Sequence, residues 1–565
     1  MIYRYKKADV QVLISVLIMS AVTFVDGAVP RAAEGLQNIR ALGRFGRIDL
    51  VWGLPSARKV SGAPRGDALF FEIERRDPGA KNFHRINRLL WTTNVYGDYI
   101  GKTGGTYSYR VRGVFVSGRK NVSFSEWSPV VTATARKGSG AILLTEIQEA
   151  SFRYFYDFRH PGSGLAREKT PHRKVESVDE LTHSYVKQTR NLRNLCTTGA
   201  TGMGMFNLIV GIERGFITRR EGIDWALQML RFLDTKADRF HGAFPHWLDG
   251  GTGETHHFAG KEDNGADIVE TAFLASGFIV LREYFRGDSR DEREIRRLSD
   301  SLWRGIEWDW FVTEKSRGGA LFWHWSPQYG WDKNHPVRGF NEAQIVYILA
   351  LASPTHAVEP RSYYKGWMHK NYGKKRTEFG IPMSLGSGLG GPLFFTHYSY
   401  LGFDPKSISY EGKSYFEHFR KFCEVQVRYA ESKADTFKGY GPLWGLTSST
   451  DPNGYAGHAP GDRDNGTIAP TAAISSMPYL PKESLDFLKI LYVKYAKLLW
   501  RDFGFTDAFN LSEGWTSETL IGIDAGPIAP MIENYRSGLC RKVFMRAPEV
   551  KGVIGILNKH GNNSN

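Results

Sequence analysis

The sequence predicts a mainly α protein with a small all-β domain ahead of it. Three observations carry this. Apolar residues alternate with period two before residue 135, and recur at three- and four-residue steps after residue 140. A polar segment, Arg136–Gly140 (RKGSG), separates the two regimes. At 565 residues the chain has room for more than one domain, one of them with a large core.

The first region is built of short alternating runs: Ile48, Leu50 and Trp52 in RIDLVWGLP, Phe71 and Ile73 in LFFEIERRD, and Tyr107, Tyr109 and Val111 in TYSYRVRGV, closed by SEWSPVVTATA. Gly and Pro turns separate them, which predicts a small antiparallel sandwich. Trp52, the YSYRVRGV strand and the terminal WSPVV strand resemble a fibronectin type III domain over Val29–Ala135. That resemblance implies a spacer or wall, without chemistry.

The second region opens with ILLTEIQEASFRYFYDF and continues through TGATGMGMFNLIVGIERG and ITRREGIDWALQMLRFLDTKA, where Thr218 and Glu221 are spaced as a capping box. Further helical runs are DIVETAFLASGFIVLREYF, EREIRRLSDSLWRGIEWDWF, NEAQIVYILALAS, KSYFEHFRKFCEVQVRYAES, TAAISSMPYLP, SLDFLKILYVKYAKLLW and MIENYRSGLCRKVFMRAPEV. Long Gly-, Pro- and aromatic-rich loops join them, and loops of that length in a compact domain are usually functional. Paired helices with such loops at one end suggest an α/α toroid with a cleft at its mouth; periodicity by itself gives only a large all-α domain.

Several classes are set aside. The net charge is +15, but the largest basic cluster, Lys370–Arg376, is short and broken by Gly, so a nucleic-acid partner is not expected. Arg4, Lys6 and Lys7, the apolar run Val10–Val25 and the small residues Gly27 and Ala28 predict a cleavable secretory leader over residues 1–28. A periplasmic or secreted protein, without stable membrane insertion after cleavage, is the expectation. Cys196, Cys423 and Cys540 form no metal or disulfide pattern and read as small buried residues. His256, His257, His324 and His335 lack zinc-ligand spacing, and the Gly-rich Gly386–Gly391 lacks the strand–turn–helix context of a phosphate loop. No metal and no cofactor are expected. Aromatics make up 13% of the chain, including 15 Trp, a mild lean toward carbohydrate.

Glycosidic bonds are cleaved by two carboxyl groups, one protonating the leaving oxygen and the other activating water or attacking. In DNGADIVETAFLASG, Asp263, Asp267 and Glu270 are spaced four and three apart, so a helix would stack them on one face, where repulsion raises at least one pKa. No Lys or Arg intervenes, and an apolar helix follows; the plainer reading, helix capping, applies most to Asp263. In GFNEAQIVYILALASPTH, Glu342 follows Asn341, a candidate N-cap, and its entry loop carries Phe322, Trp323, Trp325, Tyr329 and Trp331, suited to stacking on sugars. Lower-ranked acids are Asp451, Asp462, Asp464, Glu513 and Asp524. The expected sugar-binding set is Trp323, Trp325, Trp331, Asn341, Trp444, Glu513, Trp515 and Asp524.

Five motifs, TGATGMGMFNLIVGIERGFITRREG, DNGADIVETAFLASG, GFNEAQIVYILALASPTH, DAFNLSEGWTS and IDAGPIAPMIENYRSGL, resemble the glycoamylase-like domain of glycoside hydrolase family 144, in the same order, from about Leu144 onward. The resemblance implies an (α/α)6 toroid over 137–565 behind a sandwich over 29–136, no cofactor, and inverting hydrolysis of β-1,2-glucan to sophoro-oligosaccharides or sophorose. By position, Asp263, Asp267 and Glu270 match the family's acid triplet and Glu342 its acid in GFNEA. The resemblance makes Glu342 the general acid and lets Asp267, Glu270 or Asp524 hold the water. Ala525 stands where Gln is common, and Gly514 where a larger residue is common. Competing readings are a toroid hydrolase of another glucan, a polysaccharide lyase, and a non-catalytic glycan-binding protein.

Overall fold

The computed structural model describes residue 36 and residues 38–53, 68–117, 121–258, 260–314, 316–368, 372–386 and 388–559. The leader expectation over residues 1–28 lies outside them, as does part of the Lys370–Arg376 cluster. Among the described residues no helix is long and apolar enough to cross a membrane.

Strands occupy residues 40–134. One antiparallel sheet joins Arg40–Arg44, Arg47–Val51 and Val95–Tyr99. The other is built on the long pair Ala68–Arg76 and Thr106–Ser117, with His84–Arg85, Asn121–Phe124 and Val131–Thr134 beside it. The alternating apolar residues named above close a core of their own: Ile48, Leu50, Trp52, Phe71, Ile73, Tyr109 and Val111 are buried together.

Helices begin at Gly140. The long helices Thr198–Glu213 and Ile268–Tyr284 are buried over nearly their whole length and lie side by side. Glycine permits the close approach: a Cβ on Gly202 would sit 2.2 Å from the carbonyl oxygen of Phe273. The helices Arg219–Thr235 and Arg290–Arg304 lie outside them, apolar on one face only. The Thr218–Glu221 capping box forms, with Thr218 N–H donating to Glu221 at 2.7 Å and Glu221 N–H to the Thr218 hydroxyl at 3.2 Å. All three cysteines are free and buried.

Arg47 fastens the sandwich to the helices. Its side chain is fully buried, hydrogen-bonded to Asp49 (2.6 Å), Glu146 (3.2 Å) and the Tyr492 hydroxyl (2.8 Å), and stacked 3.9 Å above Trp500. A second tie joins Arg173 to Asp502 at 2.8 Å, with Thr93 of the sandwich donating to the same carboxylate at 2.6 Å. Removing one partner of a buried ion pair leaves the other charge uncompensated, which costs about 3–5 kcal/mol. Arg47→Met is therefore expected to lower stability by about that amount in denaturant unfolding; a change of less than about 1 kcal/mol would show the contact to be dispensable.

Candidate active site

The site gathers where the helix Ile268–Tyr284 begins. Asp267 is its N-cap: one carboxylate oxygen accepts from the N–H groups of Val269 and Glu270, each at 3.0 Å, and the side chain is fully buried. The sequence expectation of three acids on one helical face is corrected here. The helix starts at Ile268, so Asp263 lies in the preceding loop, and it is Asp267, not Asp263, that caps. The physical reason is that the helix's unpaired N–H groups are satisfied by the carboxylate nearest them, which fixes the start of the helix.

The second oxygen of Asp267 meets His246 Nδ1 at 3.1 Å and lies 3.8 Å from His324 Nδ1. His246 sits between Asp267 and Glu270. Burial opposes its charge, but the carboxylates of Glu270 and Asp267 outweigh burial and raise it to about 9. It stacks on Phe258 at 3.6 Å, and its segment is pinned by hydrogen bonds between Phe244 and Thr271 and from Asp267 N–H to the Phe244 carbonyl. Asp263 is held by Lys333 Nζ at 2.5 Å and lies 3.2 Å from His324 Nδ1; these two neighbours overcome burial and keep it below the usual carboxylate range. Burial likewise works against Asp267, but His324 and His246 hold it low.

Glu270 differs. It accepts from Gly199 N–H at 2.8 Å and from the Thr197 hydroxyl at 3.5 Å, and burial with the neighbouring Asp267 charge raises it to about 7 despite His246. Glycine at 199 makes room: a Cβ there would lie 2.2 Å from the Glu270 carboxylate. Glu342 is raised to about 7 as well, by its burial, with the charge of Asp267 a small addition. Part of its surface stays open to solvent, as suits an acid that must meet a substrate. It precedes its helix, which starts at Gln344; Asn341 accepts from Ala343 N–H at 2.9 Å, so Asn341 orders the entry to the helix without being its N-cap.

A third acid group is a buried pair. Asp524 accepts from the Tyr398 hydroxyl at 3.0 Å, and Asp507 accepts from Thr450 N–H (2.8 Å) and its hydroxyl (2.6 Å). Burial raises both, and the charge of Asp507 and its hydrogen bond with Asp524 raise Asp524 further, so Asp524 is the member of the pair that retains a proton. Partly exposed Glu168 adds charge that raises both Glu270 and Asp524, and Tyr398 feels both Asp524 and Glu342. The three acid groups thus form one electrostatic unit.

Sequence reasoning missed His246, Lys333, Glu168, Tyr398 and Asp507, and saw His324 only as a loop histidine. No local pattern marks them. Trp323 stacks beside His324, near the acids, whereas Trp325 and Trp331 turn into a separate aromatic cluster with His241, Phe311 and Phe322. Trp444 is only 3% exposed, edge-on to Phe487 in the core, and offers no face to a sugar. Glu513 is exposed and Trp515 half-buried, beside the short pairing of Phe509–Asn510 with Trp515–Thr516. Asp451 accepts from Asn453 N–H and Asn465, and Asp464 from Tyr429 and Tyr440, both as loop-ordering groups; Asp462 pairs through its backbone with Ala459. Among the described residues no group of three or more His, Cys, Asp or Glu is arranged to hold a metal ion.

Neutral and ionised carboxyl groups side by side at the end of a helical domain are the equipment of a glycoside hydrolase. Comparison with known proteins agrees. Residues 334–548 match the Glycoamylase family model. The chain is 37% identical over 542 residues to an exo β-1,2-glucooligosaccharide sophorohydrolase of Parabacteroides distasonis, covering 92% of this chain and 70% of that one. The crystal structure of a β-1,2-glucanase from the same organism superposes with a TM-score of 0.82 at 35% identity, covering 94% of this chain and 74% of that one. An endo-β-1,2-glucanase from Chitinophaga pinensis, solved with sophorotriose and glucose, gives a TM-score of 0.69 at 40% identity over 74% of this chain and 98% of its own. The chain belongs to the β-1,2-glucanases of glycoside hydrolase family 144.

The geometry makes a prediction about charge alone. Replacing His246 by Asn removes the cation beside Glu270, so the Glu270 titration midpoint, followed by carboxyl carbon-13 resonance, is expected to rise above its value of about 7. An unchanged midpoint would contradict the coupling.

Proposed function

We propose that this enzyme hydrolyses β-1,2-glucan and its oligosaccharides with inversion, releasing sophorose or short sophoro-oligosaccharides. The observation that carries the reading is Glu342: a partly open carboxyl that burial keeps protonated up to about pH 7, within range of the Asp267 charge. Glu342 donates its proton to the departing glycosidic oxygen. Glu270, ionised above about pH 7 and steadied by His246, accepts the proton of the attacking water. Asp267 is a poor base because its oxygens are committed to the helix N-terminus and His246 and its pKa is depressed; it orients His246, while burial holds Glu342 protonated. Asp263 orients His324 and Lys333. The Asp507–Asp524 pair fixes Tyr398 at the edge of the same site.

The catalytic domain is read as an (α/α)6 toroid and the sandwich as a fibronectin type III-like wall; the helices from Gly140 onward and the separate core of the strands support this. The P. distasonis sophorohydrolase aligns over 92% of this chain, a span too long to omit the sandwich, which supports release of the disaccharide as the main activity. The leader-like residues 1–28 support action outside the cytoplasm.

Chromatography of a linear β-1,2-glucan digest tests this. Wild type is expected to release mainly sophorose, and Glu342→Gln to lose about 10²- to 10⁴-fold in kcat while remaining folded. Polymer left intact by the wild type would end the proposal. The kcat/KM profile is expected to be a narrow bell with both limbs near pH 7: activity falls below it as Glu270 protonates and above it as Glu342 ionises. A plateau extending well above pH 8 would exclude Glu342 as the acid.

A further inference from the structure

The short strand His324–Trp325 pairs with Ala266–Asp267, residue for residue. Successive side chains of a strand point to opposite faces. His324 accordingly faces Asp263 and Asp267, while Trp325 faces away, edge-on to His241 at 5.3 Å. On that other face stands Trp310, one of the few large apolar side chains left exposed, at 41%. One face of its indole lies flat on His241, 3.8 Å away and within 13° of parallel. Trp325 and Trp331 flank it, each 6.5 Å between ring centres.

The ring is fixed in place. His241 Nδ1, 2.8 Å from Glu307, anchors the imidazole on which the indole lies, and the backbone N–H of Trp310 donates to the Asp309 carboxylate at 3.1 Å, ordering the chain that carries the ring. His241 itself is held at a φ of +52°, in the left-handed region that a non-glycine residue adopts only under local constraint. Partly exposed Glu307, bound to the His241 ring under the indole, and exposed Asp309, the residue before Trp310 and 3.2 Å from His356 Nδ1, supply carboxylate acceptors in the same segment. A flat, immobilised aromatic face with carboxylates in the same segment matches a pyranose, which offers axial C–H groups to the ring and hydroxyl donors at its rim.

We infer that Trp310, with Asp309 and Glu307, forms a distal binding site for a glucan chain. The site takes glucosyl units that extend beyond those held at the acids. The occupant is the substrate chain itself, because consecutive residues of one short strand serve the two places: His324 lies 3.2 Å from Asp263 and Trp325 packs beside Trp310, so the two are close neighbours. The inference rests on the proposed function, since that reading supplies the ligand. It predicts that the enzyme distinguishes long chains from short ones through a residue remote from the reacting atoms.

The test compares Trp310→Ala with wild type on a long linear β-1,2-glucan and on sophorotetraose. Trp310→Ala is expected to raise KM for the polymer about three- to tenfold, with kcat unchanged and sophorotetraose kinetics unaltered. In native affinity gels containing the polymer, Glu342→Gln should be retarded, and Glu342→Gln with Trp310→Ala less so. If wild type is active and polymer KM and retardation are both unchanged by Trp310→Ala, the distal site is overturned and the proposed function stands. An equal loss on both substrates would also overturn it, by making Trp310 a structural support. If wild type cleaves neither substrate, the proposed function falls and this site's ligand falls with it.

Discussion

The structure of the site depends on the double duty of Asp267. A fully buried carboxylate is expensive unless its charge is met by donors and cations. Here the helix Ile268–Tyr284 supplies two N–H groups and the positive end of its dipole, and His246 supplies a cation. The anion is therefore permanent. A permanent buried anion then acts on its neighbours: with Glu270 it keeps His246 charged, and it adds to the burial that pushes Glu270, and to a small extent Glu342, toward the neutral form. One N-cap thus sets the start of the central helix and contributes to the protonation of the groups around it.

The scaffold around this point is correspondingly rigid. Gly199 and Gly202 let the helix Thr198–Glu213 come close enough to cover Glu270 and supply it with a backbone donor. The strand pairing of Asp267 with His324 ties the helix start to the aromatic loop. Further away, Arg47 and the Arg173–Asp502 pair, which takes the Thr93 hydroxyl and lies against Trp91 of the sandwich, lock the sandwich onto the helices. Arg173 lies in the segment that leaves the site at Glu168, whose neighbours Lys169 and Thr170 pair with Ile521 and Leu520, just before Asp524. The sandwich therefore braces the backbone that carries one side of the acid unit.

Much of the fold was legible in the sequence, because period two and period 3.6 report which face of an element is buried. The strands around Ile48, Phe71 and Tyr109 and the helices from Thr198 onward follow the pattern. The acids Asp263, Asp267, Glu270 and Glu342 also stood out, since charges leading into apolar helices have no solvent face to explain them. What sequence could not give was where each helix begins. Asp267 and Asn341 both looked like positions near a helix start, but only tertiary contacts decide which group satisfies the first N–H donors. Nor could it give partners brought from afar. Lys333 reaches Asp263 across 70 positions, and Asp507 meets Asp524 through a fold that no local spacing encodes. Trp444 shows the converse: tryptophan count cannot tell a sugar platform from a core residue.

The central claim is an arrangement of protons, so the most direct test is to see them. A neutron crystal structure of the deuterium-exchanged enzyme at about pH 6, below the raised midpoints of Glu342 and Glu270 and the His246 value of about 9, addresses it. The account predicts deuterium on both ring nitrogens of His246 and on the carboxyl of Glu342, and none on Asp267. Deuterium on Asp267, or a singly protonated His246, would contradict it, because the anion that organises the site would then be missing.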